Sequence, residues 1–499
     1  MEDAAQAAGG DQVADRRAKL AKMREELSVD GFGRRTDGLT ALRDAAQLFD
    51  PTLEGDDRPA ACVAGRVMLH RDIGRLVFMT LRDATGDLQV AVSKKSVAPE
   101  CFKLAKLVDR GDVVVARGRI GTTKTGWTTV WAEPVEAKRP SFEVASKALE
   151  PPPEKWKGLK DAELRYRRRY VDMYASPEVV QVFALRSRLV SAIRQFMDGR
   201  GFLEVETPML QPVAGGAAAR PFVTHHNALD VDLFLRIAPE LYLKRLLVGG
   251  LPRVYEINRN FRNEGVDRQH NPEFTSMEVY EAFGDYRSMM DLTEQLIRHL
   301  ARTVDPAAAI EWDGTVIDYA SPFRRVTYAE LFERACGFDM QQFDRVRERA
   351  RELNLREAGL DDWLVVNEVF EAVAEPGLVQ PTFVIDYPSA ISPLTRPRRD
   401  DPTLCERWDL FIGEMEIGPA YTELNDPDIQ EAKFREQLAG ADSDESTFRS
   451  LDEDFLTALR VGMPPAGGLG LGIDRLVMLL SGSRSIRDVI LFPLLRPTT

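Results

Sequence analysis

Cysteine is scarce and dispersed in this chain. Its four cysteines, Cys62, Cys101, Cys336 and Cys405, form no Cys-x-x-Cys pair. That excludes a zinc ribbon and a disulfide framework and leaves reduced thiols as the expectation. No run approaches the roughly 18 consecutive apolar residues of a membrane-spanning helix. The opening MEDAAQAAGGDQVADRR lacks the apolar centre of a secretory signal, so a cytoplasmic protein with no membrane association is expected. Positive charge is in deficit, with 66 Lys and Arg against 79 Asp and Glu, a net charge of -13. A nucleic-acid partner then requires local basic clusters, because binding follows the distribution of charge and not its sum.

What is present is ordinary for a globular enzyme: 499 residues, 44% hydrophobic and 29% charged, enough for two or three domains. Residues 12 to 30 read as a helix with Leu20, Met23 and Leu27 on one stripe. Arg16, Arg17, Lys19, Lys22 and Arg24 form either a solvated face or an RNA-touching one. From 60 to 137 come short β-branched segments with glycine breaks, including RLVFMTLRDATGDLQVAVSK around a turn at Thr85, Gly86 and Asp87. Five or so strands in that length suggest a small barrel of the OB type, which binds a polymer or nothing. The Pro151–Pro153 run stiffens a domain boundary near 150. Arg165, Arg167, Arg168 and Arg169 follow it, suited to phosphates or to an acidic neighbouring surface. From 176 helices and strands alternate. SPEVVQVFALRSRLVSAIRQFMDGRG reads as an amphipathic helix stopped at Gly199 and Gly201. The fold class is therefore α+β, with an extension at 1–54, a barrel at 55–145, a linker at 146–175 and a larger domain at 176–499. A mostly helical stretch at 325–380 interrupts the strand pattern.

The chemistry concentrates in RVYEINRNFRNEGVDRQHNPEFTSMEVYEAF, residues 253–283. Two alternating runs flank a polar loop, which predicts a long-looped hairpin. Period two puts Glu256, Asn258, Asn260 and Arg262 on one face of the first strand, with Phe274, Ser276, Glu278 and Tyr280 on one face of the second. The other face, with Ile257, Phe261, Met277 and Val279, is apolar enough for a core. An arginine among amides, acids and rings suits a phosphate or carboxylate, which its planar fork binds through two parallel bonds.

FRNEG, a short loop and HNPEFT resemble the second signature motif of class II aminoacyl-tRNA synthetases. GFLEVETPML (201–210) resembles the first motif, and GGLGLGIDRLVMLL (467–480) the third. The barrel in front matches the subgroup that charges aspartate, asparagine or lysine. GGAAARPFVTHHNALD and RIAPELYLKRL are similar to the lysine enzymes in particular. The resemblance covers nearly the whole chain from about residue 55. It implies an OB-type barrel that binds the anticodon, followed by an antiparallel-sheet catalytic domain with flanking helices. It also implies an ATP-dependent ligase that makes lysyl-adenylate and transfers lysine to the 3' end of tRNA(Lys), acting as a homodimer.

Carried over by residue, the resemblance implies that Arg262 holds the α-phosphate and the substrate carboxylate, and that Phe274 stacks on adenine. Arg475 covers the other adenine face and reaches the terminal phosphate, and Glu264 and His270 contact the nucleotide. Gly216 and Glu240 meet the α-amino group of lysine. Glu278, Tyr280, Tyr421 and Glu423 form the pocket around its side chain, where an aspartate pocket would need Arg or Lys. In the barrel, Phe78 stacks a base, Gln89 reads a uridine edge, and Arg66 and Glu133 add anticodon contacts. From the residues alone, each of these is more often structural, and Phe78 above all suits a barrel core. In RWDLFIGEMEIGPAYTEL, a tight hairpin at Gly413 would oppose Asp409 and Glu416. Opposed like charges call for a cation between them, and oxygen ligands suit Mg²⁺ on ATP phosphates; a solvated acidic turn including Glu414 is the alternative. The family usually has Glu where Asp409 stands, and Asn where this chain has Pro419, which lacks a backbone N–H and a side-chain donor.

Overall fold

The computed structural model describes residues 2–152, 161–217, 219–392, 394–439 and 452–497. They form two compact units, residues 1–181 and 182–499.

In the first unit, β1 (Ala60–Asp72), β2 (Leu76–Arg82), β3 (Asp87–Ser93), β4 (Val113–Thr122), β5 (Thr128–Ala132) and β6 (Phe142–Ser146) make one sheet. It closes because β1 pairs antiparallel with both β2 and β4. Alternation decides the inside: Val77, Met79 and Leu81 of β2 join Val63, Val90 and Val130 in the core. Their neighbours Phe78 and Thr80 are half-exposed on the outer face. Asp83 ties the β2–β3 turn by accepting from the backbone N–H of Thr85 (2.7 Å) and Gly86 (3.1 Å).

The helix Glu2–Leu27 buries Leu20 and Met23. Part of its basic face is consumed internally. Arg16 donates to the carbonyls of Ala148 (2.8 Å) and Arg110 (2.9 Å), and Lys19 pairs with Asp109 (2.7 Å). The buried Lys147 bridges Asp109 (2.6 Å) and Asp112 (2.8 Å) below it. The expected linker at 146–175 falls in part on 153–160, outside the described residues, and Pro153 with it. Its later half is helical, Ala162–Arg167 and Arg169–Ala175. There Arg165 and Arg169 pair with buried Asp172, and Arg167 with Glu163. Acidic neighbours therefore engage at least these three of the four arginines.

The second unit contains β7 (Leu203–Glu204), β8 (Leu210–Gln211), β9 (Phe222–His226), β10 (Val231–Leu235), β11 (Arg253–Phe261), β12 (Glu273–Ala282), β13 (Ala309–Trp312) and β14 (Thr315–Asp318). These are followed by β15 (Arg324–Thr327), β16 (Thr382–Ile385), β17 (Arg407–Ile412), β18 (Met415–Thr422) and β19 (Ala466–Gly472). Eight form one sheet in the order β15-β16-β17-β18-β19-β12-β11-β7, antiparallel except at its two edges. The helices Pro177–Asp198, Tyr286–Val304 and Ile473–Ser481 supply residues to a single apolar core, with Leu189, Met289, Leu296, Val477 and Leu480 packing with Met277, Val279, Leu469 and Leu471 of the sheet. Between β15 and β16 the helices Tyr328–Cys336, Phe343–Glu352 and Asp362–Val373 build their own core around Tyr328, Phe332, Val366 and Phe370.

Candidate active site

β11 and β12 pair over nine positions, with Glu256 opposite Glu278, Asn258 opposite Ser276, Asn260 opposite Phe274 and Val254 opposite Tyr280. Directly paired residues share a face, so the expected polar surface is a single patch, and the loop closes where Arg262 N–H donates to Pro272 O (2.8 Å). On the other face Ile257 and Met277 pack on the core. Phe261, expected there too, is only half-buried and lies outside that cluster.

The next strand explains why the patch is a cleft. In β19, Gly468 stands opposite Tyr280, Gly470 opposite Glu278 and Gly472 opposite Ser276. The alternate residues, Leu469 and Leu471, point into the core. Glycine at every second position leaves this strand bare on the polar side. A Cβ on Gly468 would collide with Glu423 Oε1 and the Tyr280 ring edge. On the next strand, β18, a Cβ at Gly418 would collide with Gly470 O.

Four carboxylates are buried around this floor: Glu240, Glu256, Glu278 and Glu423. Glu256 is satisfied by Arg236 Nη1 (2.7 Å) and Thr207 Oγ1 (2.7 Å). Glu240, which opens the helix Glu240–Val248, pairs with fully buried Lys244 (2.6 Å), one turn along. Lys244 also contacts Glu423 Oε2, while Glu423 Oε1 has no donor among the described residues. Glu278 receives one hydrogen bond among the described residues, from Tyr280 Oη (3.2 Å). Burial, then the charge of Glu240, pushes its carboxyl up to about 8. Burial raises Glu423 too, with Lys244 opposing and Glu240 adding. Gly216, at φ +87°, lies where a Cβ would be 3.3 Å from Glu240 Cβ. Tyr421 closes the side toward β17, its ring 5.7 Å from the Arg407 guanidinium.

At the other end of the patch the Arg262 guanidinium lies 5.2 Å from the Phe274 ring centroid, and its shielded Nε has no partner among the described residues. Arg475 donates to Glu416 O (2.5 Å) and to His270 Nε2 (2.9 Å), while His270 Nδ1 bonds Asp267 Oδ2 (2.8 Å). With Arg475 as donor, the histidine carries its proton on Nδ1 and donates it to Asp267. Buried Asp474, held by Arg186 and by Thr275 N–H (2.7 Å), fixes the helix that presents Arg475. Glu264 is exposed in the loop beside Arg262. The sheet therefore separates a cationic, ring-bearing half from an acidic half.

The chain matches the family of class II tRNA synthetases (D, K and N) over residues 161–496, and an OB-fold nucleic acid binding domain over 61–144. It is 49% identical over 488 residues to a lysine–tRNA ligase of Pelotomaculum thermopropionicum, covering 97% of this chain and 94% of that one. A lysine–tRNA ligase of Carboxydothermus hydrogenoformans is 48% identical, with 96% of each chain covered. One of Magnetococcus marinus is 46% identical, with 97% and 96% covered.

This chain belongs to the class II tRNA synthetases (D, K and N).

In this synthetase the expected opposition of Asp409 and Glu416 needs correction. β17 and β18 do form a tight hairpin, turned by Gly413 and Glu414 at φ +60° and +62°. With Ile412 opposite Met415, that turn sets Glu416 against Phe411, and a bulge between Leu410 and Phe411 then carries Asp409 to Pro419. Arg407 holds buried Asp409 through Nε (2.9 Å) and Nη2 (2.6 Å). Glu416 is solvent-accessible, yet burial by the surrounding protein, then Asp409, raises its carboxyl, with Arg475, Arg407 and Arg262 opposing. Among the described residues no three metal-ligating side chains lie together. The donors fit an ion that arrives on phosphates and keeps its waters, not a dedicated cage.

On the barrel, Phe78, Gln89 and the unforeseen Trp131 share the outer face. Phe78 meets Trp131 edge-on at 6.2 Å, and Gln89 Oε1 accepts from Thr129 Oγ1 (2.9 Å). Glu133 lies near Arg119 (3.3 Å) and Arg58 (3.7 Å). Arg66 is not brought to this cluster. It stands opposite Arg82, four residues along β2 from Phe78, and engages Gly111 O (2.7 Å) and the Tyr174 ring (4.5 Å). Sequence reasoning also missed Arg236, Lys244, Arg407 and Asp267. Of these, Lys244 left a readable signal: an acid and a base four apart on one helix.

Proposed function

We propose that the chain is an ATP-dependent lysine–tRNA ligase, which forms lysyl-adenylate and diphosphate and then esterifies the 3' end of tRNA(Lys). The observation that carries the reading is the acidic half of the sheet: Glu278 and Glu423 are buried with less cationic charge around them than they need. Buried carboxylates of this kind call for an ammonium, whereas an aspartate or asparagine side chain would leave them uncompensated.

The reaction places the lysine α-ammonium by Glu240 and Gly216, and its side-chain ammonium by Glu278, Tyr280, Tyr421 and Glu423. Arg262 turns its free donor edge to the substrate carboxylate and the α-phosphate, whose charge grows as the carboxylate attacks. Adenine stacks on Phe274 with Arg475 over its other face, and His270 and Glu264 line the nucleotide. The His270–Asp267 bond keeps the imidazole in the tautomer that accepts from Arg475. Rate enhancement comes from positioning and preorganised charge, without a covalent enzyme intermediate. Mg²⁺, held by Glu416 with Asp409 behind it, would neutralise phosphate oxygens. Phe78 and Gln89 read splayed anticodon bases by stacking and hydrogen bonding, with Glu133 and Arg66 as outlying contacts. The chain acts in the cytoplasm as a homodimer through its first motif, whose Leu203 and Leu210 side chains are exposed in the single chain. No helix of the described residues is long and apolar enough to cross a membrane.

Aminoacylation of unfractionated tRNA with labelled lysine, aspartate or asparagine tests the reading. Charging with lysine alone is expected; charging with aspartate or asparagine and none with lysine would reject it.

A further inference from the structure

The lysine pocket contains a lysine of its own. Lys244 is fully buried, one turn into the helix that Glu240 opens, and its ammonium touches both Glu240 Oε1 (2.6 Å) and Glu423 Oε2. Glu423 Oε1 lies beside the Tyr280 ring over Gly468, and Tyr280 Oη bonds Glu278. Glu240, Lys244, Glu423, Tyr280 and Glu278 are thus one contiguous set. Arg236 already neutralises the neighbouring Glu256, and Arg407 neutralises Asp409. What remains among the described residues, once all three carboxyls are ionised around a cationic ligand, is three carboxylates against one ammonium, a deficit of two charges.

We propose that Lys244 is a specificity-determining residue, which fixes the deficit of the pocket at two positive charges and so matches it to an amino acid carrying two ammonium groups. This rests on the reading of the site as a lysine pocket. An amino acid with only its α-ammonium leaves one carboxyl without a cation, so that group stays protonated and the second charge pair that lysine forms is lost. The substrate carboxylate is counted apart, because Arg262 receives it. Without Lys244 the deficit would be three, more than lysine supplies. Lys244 is therefore a positioning residue that acts through Glu240 and Glu423.

The test compares Glu423→Gln with the double variant Glu423→Gln/Lys244→Met in lysine-dependent ATP–pyrophosphate exchange. Glu423→Gln lowers the deficit to one and weakens lysine binding. Removing Lys244 as well restores the deficit to two. The double variant is therefore expected to bind lysine more tightly than Glu423→Gln, its KM for lysine lower by about five-fold or more. The KM for ATP should stay within about two-fold across the pair. A double variant that binds lysine no better than Glu423→Gln, or that fails to fold, overturns the proposal, because a structural Lys244 would only add damage. Absence of lysine-dependent exchange in the unaltered protein would instead reject the lysine reading itself, which separates the two failures.

Discussion

A carboxylate that is buried beside other carboxylates and hydrogen-bonded, among the described residues, by a phenol alone, as Glu278 is, prefers to hold a proton until a cation arrives. Glu278→Gln should raise the KM for lysine about 30-fold or more, since removing one side of a buried charge pair costs about 2–5 kcal/mol. The KM for ATP should barely move, and a parallel loss in both would contradict the assignment. The pH dependence follows in sign. The Glu278 carboxyl titrates near 8 in the unliganded fold, whereas lysine binds the ionised form. Lysine affinity therefore weakens as pH falls through that value, and Glu278→Gln flattens the dependence. For the unliganded protein the raised group stabilises the fold at low pH, and that contribution is lost as pH rises through 8. Saturating lysine should accordingly raise the melting temperature more at the alkaline side.

At the scale of the element, the glycine strand β19 and the helix after it do most to shape the cleft. Gly468→Ala should abolish lysine binding while leaving ATP binding measurable, because the added methyl collides with Glu423 and Tyr280 and not with the Arg262–Phe274 half. Equal loss of both ligands in equilibrium binding would show that the strand serves folding alone. The alternation of β11 and β12 was legible in the sequence because period two sorts their side chains without reference to partners; Glu256, Glu278 and their neighbours share one face as that rule requires. The hairpin at Gly413 was legible too, but its register was not: the turn at Gly413 and Glu414 already sets Glu416 opposite Phe411, and the bulge between Leu410 and Phe411 carries Asp409 one place further, to Pro419. Arg236, Lys244 and Arg407 were missed for a related reason. Two of their carboxylate partners lie far away in sequence or on another element, and the third, Asp409, had been set aside for a metal ion.

At the scale of the molecule, the two compact units carry different chemistry. The outer face of the barrel presents Phe78, Gln89 and Trp131, so Phe78→Ala should raise the KM for tRNA in aminoacylation about five-fold or more, given ~1–3 kcal/mol per stacked base. Lysine-dependent pyrophosphate exchange without tRNA should be unchanged in that variant. The negative net charge is compatible with an RNA ligand because recognition by stacking needs few phosphate contacts. Many of the basic residues that the sequence offered for phosphate, such as Arg16, Lys19, Arg165 and Arg169, already hold internal partners. The most direct measurement is ATP–pyrophosphate exchange with lysine, aspartate and asparagine supplied in turn. The arrangement of Arg262, Glu278 and Glu423 predicts exchange with lysine and none with the other two; exchange with aspartate or asparagine in the absence of any with lysine would contradict it.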